Sequence, residues 1–552
     1  MKNLFLIISL FFVLNVCFSQ TYKYEPYKKE IRPTKNLIVM IPDGTSVSVL
    51  SAARWFKLYN NMGDSLFIDP YLCGMVKTHS SNAPIGDSAP TASCYMTGML
   101  QQSGNISIYP VADPANDFVE IDPKMAYQPL ATLLEAAKIL QNKATGLIVT
   151  CEFPNATPAA CAAHYYDRRD YKSISMQMVY QNLDVLFGGG NILMSDDMKL
   201  HLENQNITYI KDDINSFRNL KNEKVYALFG DLAMPYNLDR NDDLMPSLEE
   251  MTKKALEILS QNENGFFLMV EGSQIDWAAH INDAIGCITE YIAFDNAVGV
   301  ALEFAKKDKN TTVIIIPDHG TGGFSVGRYD LKSYDKASLE KLFGQVSKYK
   351  KTSQSLEKIL LNEKPENIRQ VIKIHTDIDI TDEEYKQLLY SKNYIVENHV
   401  KSDTSPIMQE ILIQIMNKRT WFGFTSGGHI GEDVFLAAYH PLGDIPTGLN
   451  TNIEINYYLS DVLGLKTKLP ELTSKIFVKH NELFAGYETT INRSGEFPVL
   501  IVKNKLKTLE IPAYKSVAYL NGQPFNIGSV TVYIDKTNTF YLSEKLSELI
   551  AD

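Results

Sequence analysis

The chain has 552 residues, 45% of them apolar and 21% charged, with a formal net charge of −12. This is the composition of an ordinary folded protein, and the length predicts one large α/β domain with elaborations, or two domains. The acidic balance excludes the basic footprint of a nucleic-acid binder, although a local field at a site can still attract small anions.

The first twenty residues, MKNLFLIISLFFVLNVCFSQ, carry one early lysine, a continuous apolar run, and small residues at Cys17 and Ser19. They predict a signal peptide over 1–19, cleaved after Ser19, and an exported chain, periplasmic or extracellular. A membrane anchor is the alternative, since the run approaches the roughly 18 residues of a spanning helix. Asn15-Val16 is a poor context for a lipid anchor at Cys17. No transmembrane segment is expected in the mature chain. Beyond the leader, Cys73, Cys94, Cys151, Cys161 and Cys287 are scattered and odd in number. They read as buried small apolar residues with at most one or two bridges.

Four apolar runs then end abruptly in polar residues: NLIVMIPDG (36–44), TGLIVTCEF (145–153), GFFLMVEG (265–272) and TTVIIIPDHG (311–320). Runs of this kind suit central strands of a parallel sheet covered on both faces. Helices are predicted between them, over 247–262 and 283–306, which gives a doubly wound, mostly parallel α/β fold. Residues 331–420 are rich in lysine and glutamate, with a capping box at Thr381-Asp382-Glu383-Glu384, and read as a helical insertion. From 495 to 552 the chain reads as a small β-rich module, with Asn521-Gly522 as a hairpin turn. The catalytic domain is placed at 20–494.

Chemistry collects at the strand ends. Asp43 closes the first run, Glu271 the third, and Asp318-His319 the fourth, and ligands of open parallel sheets bind beyond such carboxyl ends. Asp276 and His280, spaced i, i+4, lie on one helical face, as two ligands of one metal require. Alone they could be a salt-bridged surface pair, but Glu271 just upstream favours a metal. His429 sits in the glycine-flanked loop TSGGHIGEDV, where the backbone can approach closely. In NATPAACAAHYYDRRDY (155–171), Thr157 before Pro158 could be only a helix N-cap. Arg168 is either a solvated cation or a bidentate clamp for a phosphoryl group. In PIGDSAPTAS (84–93), Ser88 reads as an N-cap, with Pro90 in the first turn and Gly98 near the helix end, and also as a nucleophile.

Six motifs in order, DG after the first strand, DSA, ATPAA…AH…R, EG…ID…H, DH and H-x-GED, resemble the alkaline phosphatase family over roughly residues 34 to 440. The resemblance implies hydrolysis of phosphate monoesters at two zinc ions and one magnesium, through a phosphoserine on Ser88. It assigns Asp276, His280 and His429 to one zinc, and Asp43, Asp318, His319 and Ser88 to the other. Asp43, Thr157 and Glu271 offer only oxygens, which suits magnesium. Arg168 would neutralise the phosphoryl oxygens, with Asp87 orienting it rather than binding metal. A homodimer is a further family expectation.

Two positions depart from the pattern. Asn155 stands where better-known members carry Asp or His near the magnesium, which weakens tuning of metal affinity. Trp277 stands where some bacterial members carry a phosphate-contacting lysine, which predicts weaker product inhibition. Among other readings, a sulfatase would need an arginine that DSAPTAS lacks, and a phosphodiesterase often carries threonine as nucleophile. A non-catalytic metal- or phosphate-binding protein is disfavoured by the complete ligand set.

Overall fold

In this computed structural model the four predicted runs are neighbours at the centre of a ten-stranded sheet. The structure describes residues 30–221, 224–397, 407–465 and 468–551; the expected signal peptide and Cys17 lie outside them. The first eight strands of the sheet are β1 (Asn36–Ile41), β2 (Leu72–Lys77), β3 (Ala144–Glu152), β4 (Val185–Gly189), β5 (Thr208–Lys211), β6 (Val225–Leu228), β7 (Phe266–Glu271) and β8 (Thr311–Ile315). Across the sheet the order is Gly448–Thr451, β2, Val434–Tyr439, β8, β1, β7, β3, β4, β6, β5. Only Val434–Tyr439 runs antiparallel to its neighbours; the rest are parallel.

Burial on both faces explains the unbroken apolar runs. In β1, Leu37, Val39 and Ile41 join one apolar cluster, while Ile38 and Met40 join the other. Strand β7 divides the same way, Phe267 and Met269 against Phe266, Leu268 and Val270. Successive side chains of a strand point to opposite faces, so a strand covered twice has no polar side to show.

The helices predicted over 247–262 and 283–306 are Leu248–Leu259 and Ala284–Asp308. The latter is the one described helix long and apolar enough to cross a membrane, yet 72% of its most apolar stretch is buried in the fold. It is a core helix against the sheet. All five described cysteines are free thiols, four of them buried.

Segment 331–420 is helical in its described part, and Thr381 and Glu384 make both bonds of the predicted capping box. It also packs more deeply than an appendage: Phe343, Val346, Leu356 and Leu360 belong to the cluster that contains Ile38 and Met40. At the C-terminus a five-stranded antiparallel meander takes its first strand from Glu488–Asn492, upstream of residue 495. Asn521 and Gly522, at φ +49° and +80°, make the two-residue turn between Val517–Leu520 and Gln523–Asn526. A three-stranded sheet joins Val478–Lys479, Thr539–Leu542 and Val532–Ile534 in that order.

Candidate active site

Register brings the strand ends together. Ile41 lies opposite Glu271, and Met40 opposite Ile315, so the chain leaves β1, β7 and β8 at one level and on adjacent strands. Asp43, Glu271, Asp318 and His319 emerge there, all buried. Gly44 permits the close approach: it sits at φ +64°, and a Cβ on it would fall 2.4 Å from Asp276 Oδ1. Asp276 and His280 come from the short helix Gln274–His280 that follows β7. His429 arrives from far along the chain because His429–Ile430 pairs antiparallel with Gly320–Thr321, directly after His319.

Ser88 Oγ lies 3.1 Å from His319 Nε2. The same ring nitrogen is 3.3 Å from Asp318 Oδ2 and 3.6 Å from Asp43 Oδ1. Thr157 Oγ1 donates to Asp43 Oδ2 at 3.2 Å. His280 Nε2 is 3.3 Å from Asp276 Oδ2, and the His429 ring lies 3.8 Å from that of His319 and 4.9 Å from that of His280, centre to centre.

The imidazoles are oriented by what their other nitrogens bond. His280 Nδ1 meets the Gly427 carbonyl at 2.8 Å and His429 Nδ1 the Gly86 carbonyl at 2.9 Å. A carbonyl only accepts, so Nδ1 carries a proton in both, which turns His280 Nε2 toward Asp276 Oδ2. Thr321 does the same for His319. Its hydroxyl donates to Asp276 Oδ1 at 2.6 Å and so accepts from His319 Nδ1 at 3.2 Å.

The result is a set of atoms that could hold a cation. Asp43, Asp318 and His319 have ligand atoms within 4.8 Å of one another, as do Asp276, His319 and His429. Asp43 Oδ1, Glu271 Oε1 and Asp318 Oδ2 are buried and accept no hydrogen bond. Burial, then the charge of Asp318, pushes Glu271 up to about 8 and Asp43 well above the usual carboxylate range. Burial and the neighbouring His319 push His429 down to about 4. Against the burial that disfavours both charges, Asp276 and His280 stabilise each other, the acid held low and the imidazole raised to about 9. Clustered buried carboxylates that resist ionisation are a charge arrangement that a cation would relieve.

Arg168 faces this cluster across an open cleft of about 400 Å³, lined also by Ser88, Trp277 and His280. Its Nη1 donates to Asp87 Oδ1, and its Nη2 to Asn155 Oδ1 at 3.1 Å. Although burial disfavours both charges, the pairing holds Asp87 below and Arg168 above their usual values. Asp87 Oδ2 accepts from Ser103 Oγ at 2.8 Å and from Gly104 N at 2.9 Å, and Gly104 O accepts from Arg168 N at 2.8 Å. Asn155 Nδ2 donates to Glu152 Oε1 at 3.0 Å, which also accepts from Tyr171 at 2.6 Å.

Two helix starts differ from expectation. Asp87, not Ser88, is the N-cap of Ser88–Thr97, accepting from Ala89 N at 3.2 Å. Ser88 is the first helical residue, so its hydroxyl is free of capping and meets His319 instead. Likewise Asn155, not Thr157, caps Ala156–Ala162 through a 2.7 Å bond from Ala156 N, and Thr157 turns to Asp43. Sequence reasoning missed Thr321, Ser103 and Tyr171. The only signal for Thr321 is a hydroxyl two residues after the Asp-His pair.

The class defined by this sheet and cleft is a mostly parallel α/β sandwich with a cluster of candidate metal ligands at its strand ends. The profile of the family described as alkaline phosphatase matches residues 34–465, and the chain belongs to that family. Alkaline phosphatase 3 of Bacillus subtilis is 34% identical over 439 residues, covering 76% of this chain and 87% of its own. Alkaline phosphatase 4 of the same organism is 33% identical, covering 79% and 90%. A cold-active alkaline phosphatase structure from Shewanella sp. is similar at TM-score 0.67 and 26% identity, covering 78% of this chain and 99% of its own. A variant of the alkaline phosphatase from the Antarctic bacterium TAB5, with Mg bound in its M3 site, is similar at TM-score 0.54 and 26% identity, covering 79% and 99%.

Proposed function

We propose that the chain is an alkaline phosphatase that hydrolyses phosphate monoesters through a phosphoserine on Ser88. The observation that carries this is the juxtaposition of Ser88 Oγ, 3.1 Å from His319 Nε2, with unbonded buried carboxylate oxygens on one side and Arg168 on the other. Asp276, His280 and His429 would hold one zinc, and Asp43, Asp318, His319 and Ser88 the second. Asp43, Thr157 and Glu271 would hold magnesium. Bound there, the ions supply Lewis acidity, lowering hydroxyl and water pKa and stabilising developing oxyanions.

The residues then divide the work. Ser88 Oγ attacks phosphorus in line with the departing ester oxygen, forming the Ser88 O–P bond as the ester P–O bond breaks, and the proton it gives up leaves on that oxygen as the free alcohol. Arg168, held in plane by Asp87 and Asn155, offers two N–H groups to the non-bridging oxygens. Water then attacks phosphorus from the vacated side, and Ser88 regains its proton as phosphate leaves. Two in-line displacements retain configuration at phosphorus. Chelation should abolish turnover of 4-nitrophenyl phosphate, and zinc plus magnesium should restore it, well above the rate on the bis-nitrophenyl diester. Metal-independent turnover would overturn the site, and inversion at a chiral phosphate would overturn the covalent step.

Residues 1–19 are proposed to direct export, with N-terminal sequencing of the mature chain expected to begin at Gln20. Sedimentation of that chain tests the homodimer expected of the family.

A further inference from the structure

The catalytic cleft does not end at Arg168. A second open cavity of about 430 Å³ shares Asp87, Ser103 and Arg168 with it and continues past Tyr166 and Arg169 to Lys536. Lys536 lies in the short turn Asp535–Thr537, between the last two strands of the three-stranded sheet and beyond the 34–465 region matched by the family profile. The terminal module therefore reaches back to the wall of the active site.

The turn is docked in place. Tyr166 donates its hydroxyl to Asp535 Oδ1 at 2.7 Å, and the Lys536 ammonium lies 4.0 Å from the centre of the Tyr166 ring and 5.3 Å from that of Tyr127. Tyr165 stacks on Tyr166 at 4.6 Å, so the platform itself is fixed. A cation over an aromatic face keeps its N–H donors while losing part of its rotational freedom, which lowers the cost of ordering it on a ligand.

Charge pairing singles this lysine out. Of the carboxylates along the second cavity, Asp87 is engaged by Arg168, and Asp167 accepts two side-chain bonds from Arg169, at 2.9 and 2.8 Å, and one from its backbone N–H at 3.0 Å. Lys536 forms no ion pair among the described residues. On a chain of net charge −12, an exposed ammonium held over two tyrosine rings and in no ion pair, beside a phosphoryl site, is a local exception.

We infer that Lys536 forms a subsite for a second phosphoryl group carried by the leaving alcohol, so that the enzyme favours bisphosphorylated over singly phosphorylated monoesters. This rests on the phosphatase reading above. A substrate whose first phosphoryl group lies between Ser88 and Arg168 extends its alcohol along the shared wall, and its second phosphoryl group meets Lys536. Recognition of this kind lowers KM without touching the bond-breaking step.

The test compares an alkanediol monophosphate with the matching bisphosphate, using the zinc- and magnesium-loaded enzyme. Wild type should show kcat/KM about tenfold higher for the bisphosphate, beyond the twofold statistical factor, and added salt should narrow the gap. Lys536→Ala should remove the advantage through KM, leaving kcat and the monophosphate unchanged, whereas Lys536→Arg should retain most of it. Equal wild-type values, or an equal fall for both esters in Lys536→Ala, overturns the subsite. Absence of turnover on both esters counts against the phosphatase reading alone. Calorimetric titration of the same loaded protein with alkane bisphosphonate and monophosphonate then decides the subsite, since only the bisphosphonate should weaken in Lys536→Ala; equal affinities overturn it.

Discussion

Thr321 has no partner of its own choosing: one hydroxyl serves both Asp276 and His319, residues proposed to hold different ions. Groups that orient metal ligands typically contribute 10–100-fold in affinity. Thr321→Val, which keeps the shape and removes the hydroxyl, should weaken zinc binding by about tenfold or more, and Thr321→Ser should restore most of it. Zinc titration against a competing chelator reads both. Trp277 lines the cleft where it can give phosphate no charge. Trp277→Lys should tighten inhibition by phosphate, and unchanged inhibition would count against a phosphate-facing position. The ligand candidates were legible because spacing and strand ends announce them. Thr321 was not, because its role exists only once the helix Gln274–His280 folds against the loop after β8.

Asp87 shows how a local rule and a chemical role meet in one element. It caps the helix Ser88–Thr97 and holds Arg168 at the same time. Asp87→Ala should lose about 1 kcal/mol or more of stability with the cap, and phosphate affinity with the clamp, while zinc content stays intact. Asp87→Asn can still cap, so stability should largely return while phosphate binding stays weak. Thermal unfolding and phosphate inhibition, measured on both variants, separate the two losses. At this scale the sequence allowed Ser88 as cap because Ser and Asp are equally good caps; only the backbone decides between adjacent candidates. The four central strands were legible because burial on both faces makes their middles continuous apolar runs. Val434–Tyr439, VFLAAY, is equally apolar, yet nothing in its composition says that it enters antiparallel between β2 and β8. The helices of 331–420 carry an apolar stripe, but a stripe does not name the surface it covers.

Across the whole molecule, buried carboxylates and imidazoles concentrate at the strand ends in the centre of the sheet. Glu271 is raised from its ordinary 4.5 to about 8, so between those values the folded state binds a proton that the unfolded state has released. This group alone makes the metal-free chain less stable as pH rises through that window, while His429, lowered to about 4, offsets it below pH 6.5, so the fall should show above pH 6.5. His280, raised from 6.5 to about 9, adds a loss of the same sign at higher pH. Zinc and magnesium should flatten the slope by replacing protons with metal charge. Melting temperatures from pH 5 to 9, with chelator and with metals, give the comparison; parallel curves would count against cations at these carboxylates. The modules at 331–420 and at the C-terminus were legible as elements and not as contributors, because their packing against the sheet and the cleft depends on residues hundreds of positions away.

The order of strands in the sheet also fixes an order in time. β1 leaves the ribosome before every other described strand, yet Leu37 finds its neighbours at Phe267 and Thr312. His429 completes the ligand cluster later still, by pairing with Thr321. More than two hundred residues must therefore emerge while an uninterrupted apolar run, 37–41 of β1, stays unpaired. Long-range parallel pairing is slow and exposes such segments to aggregation, so β1 is the segment most in need of an escort before the chain closes.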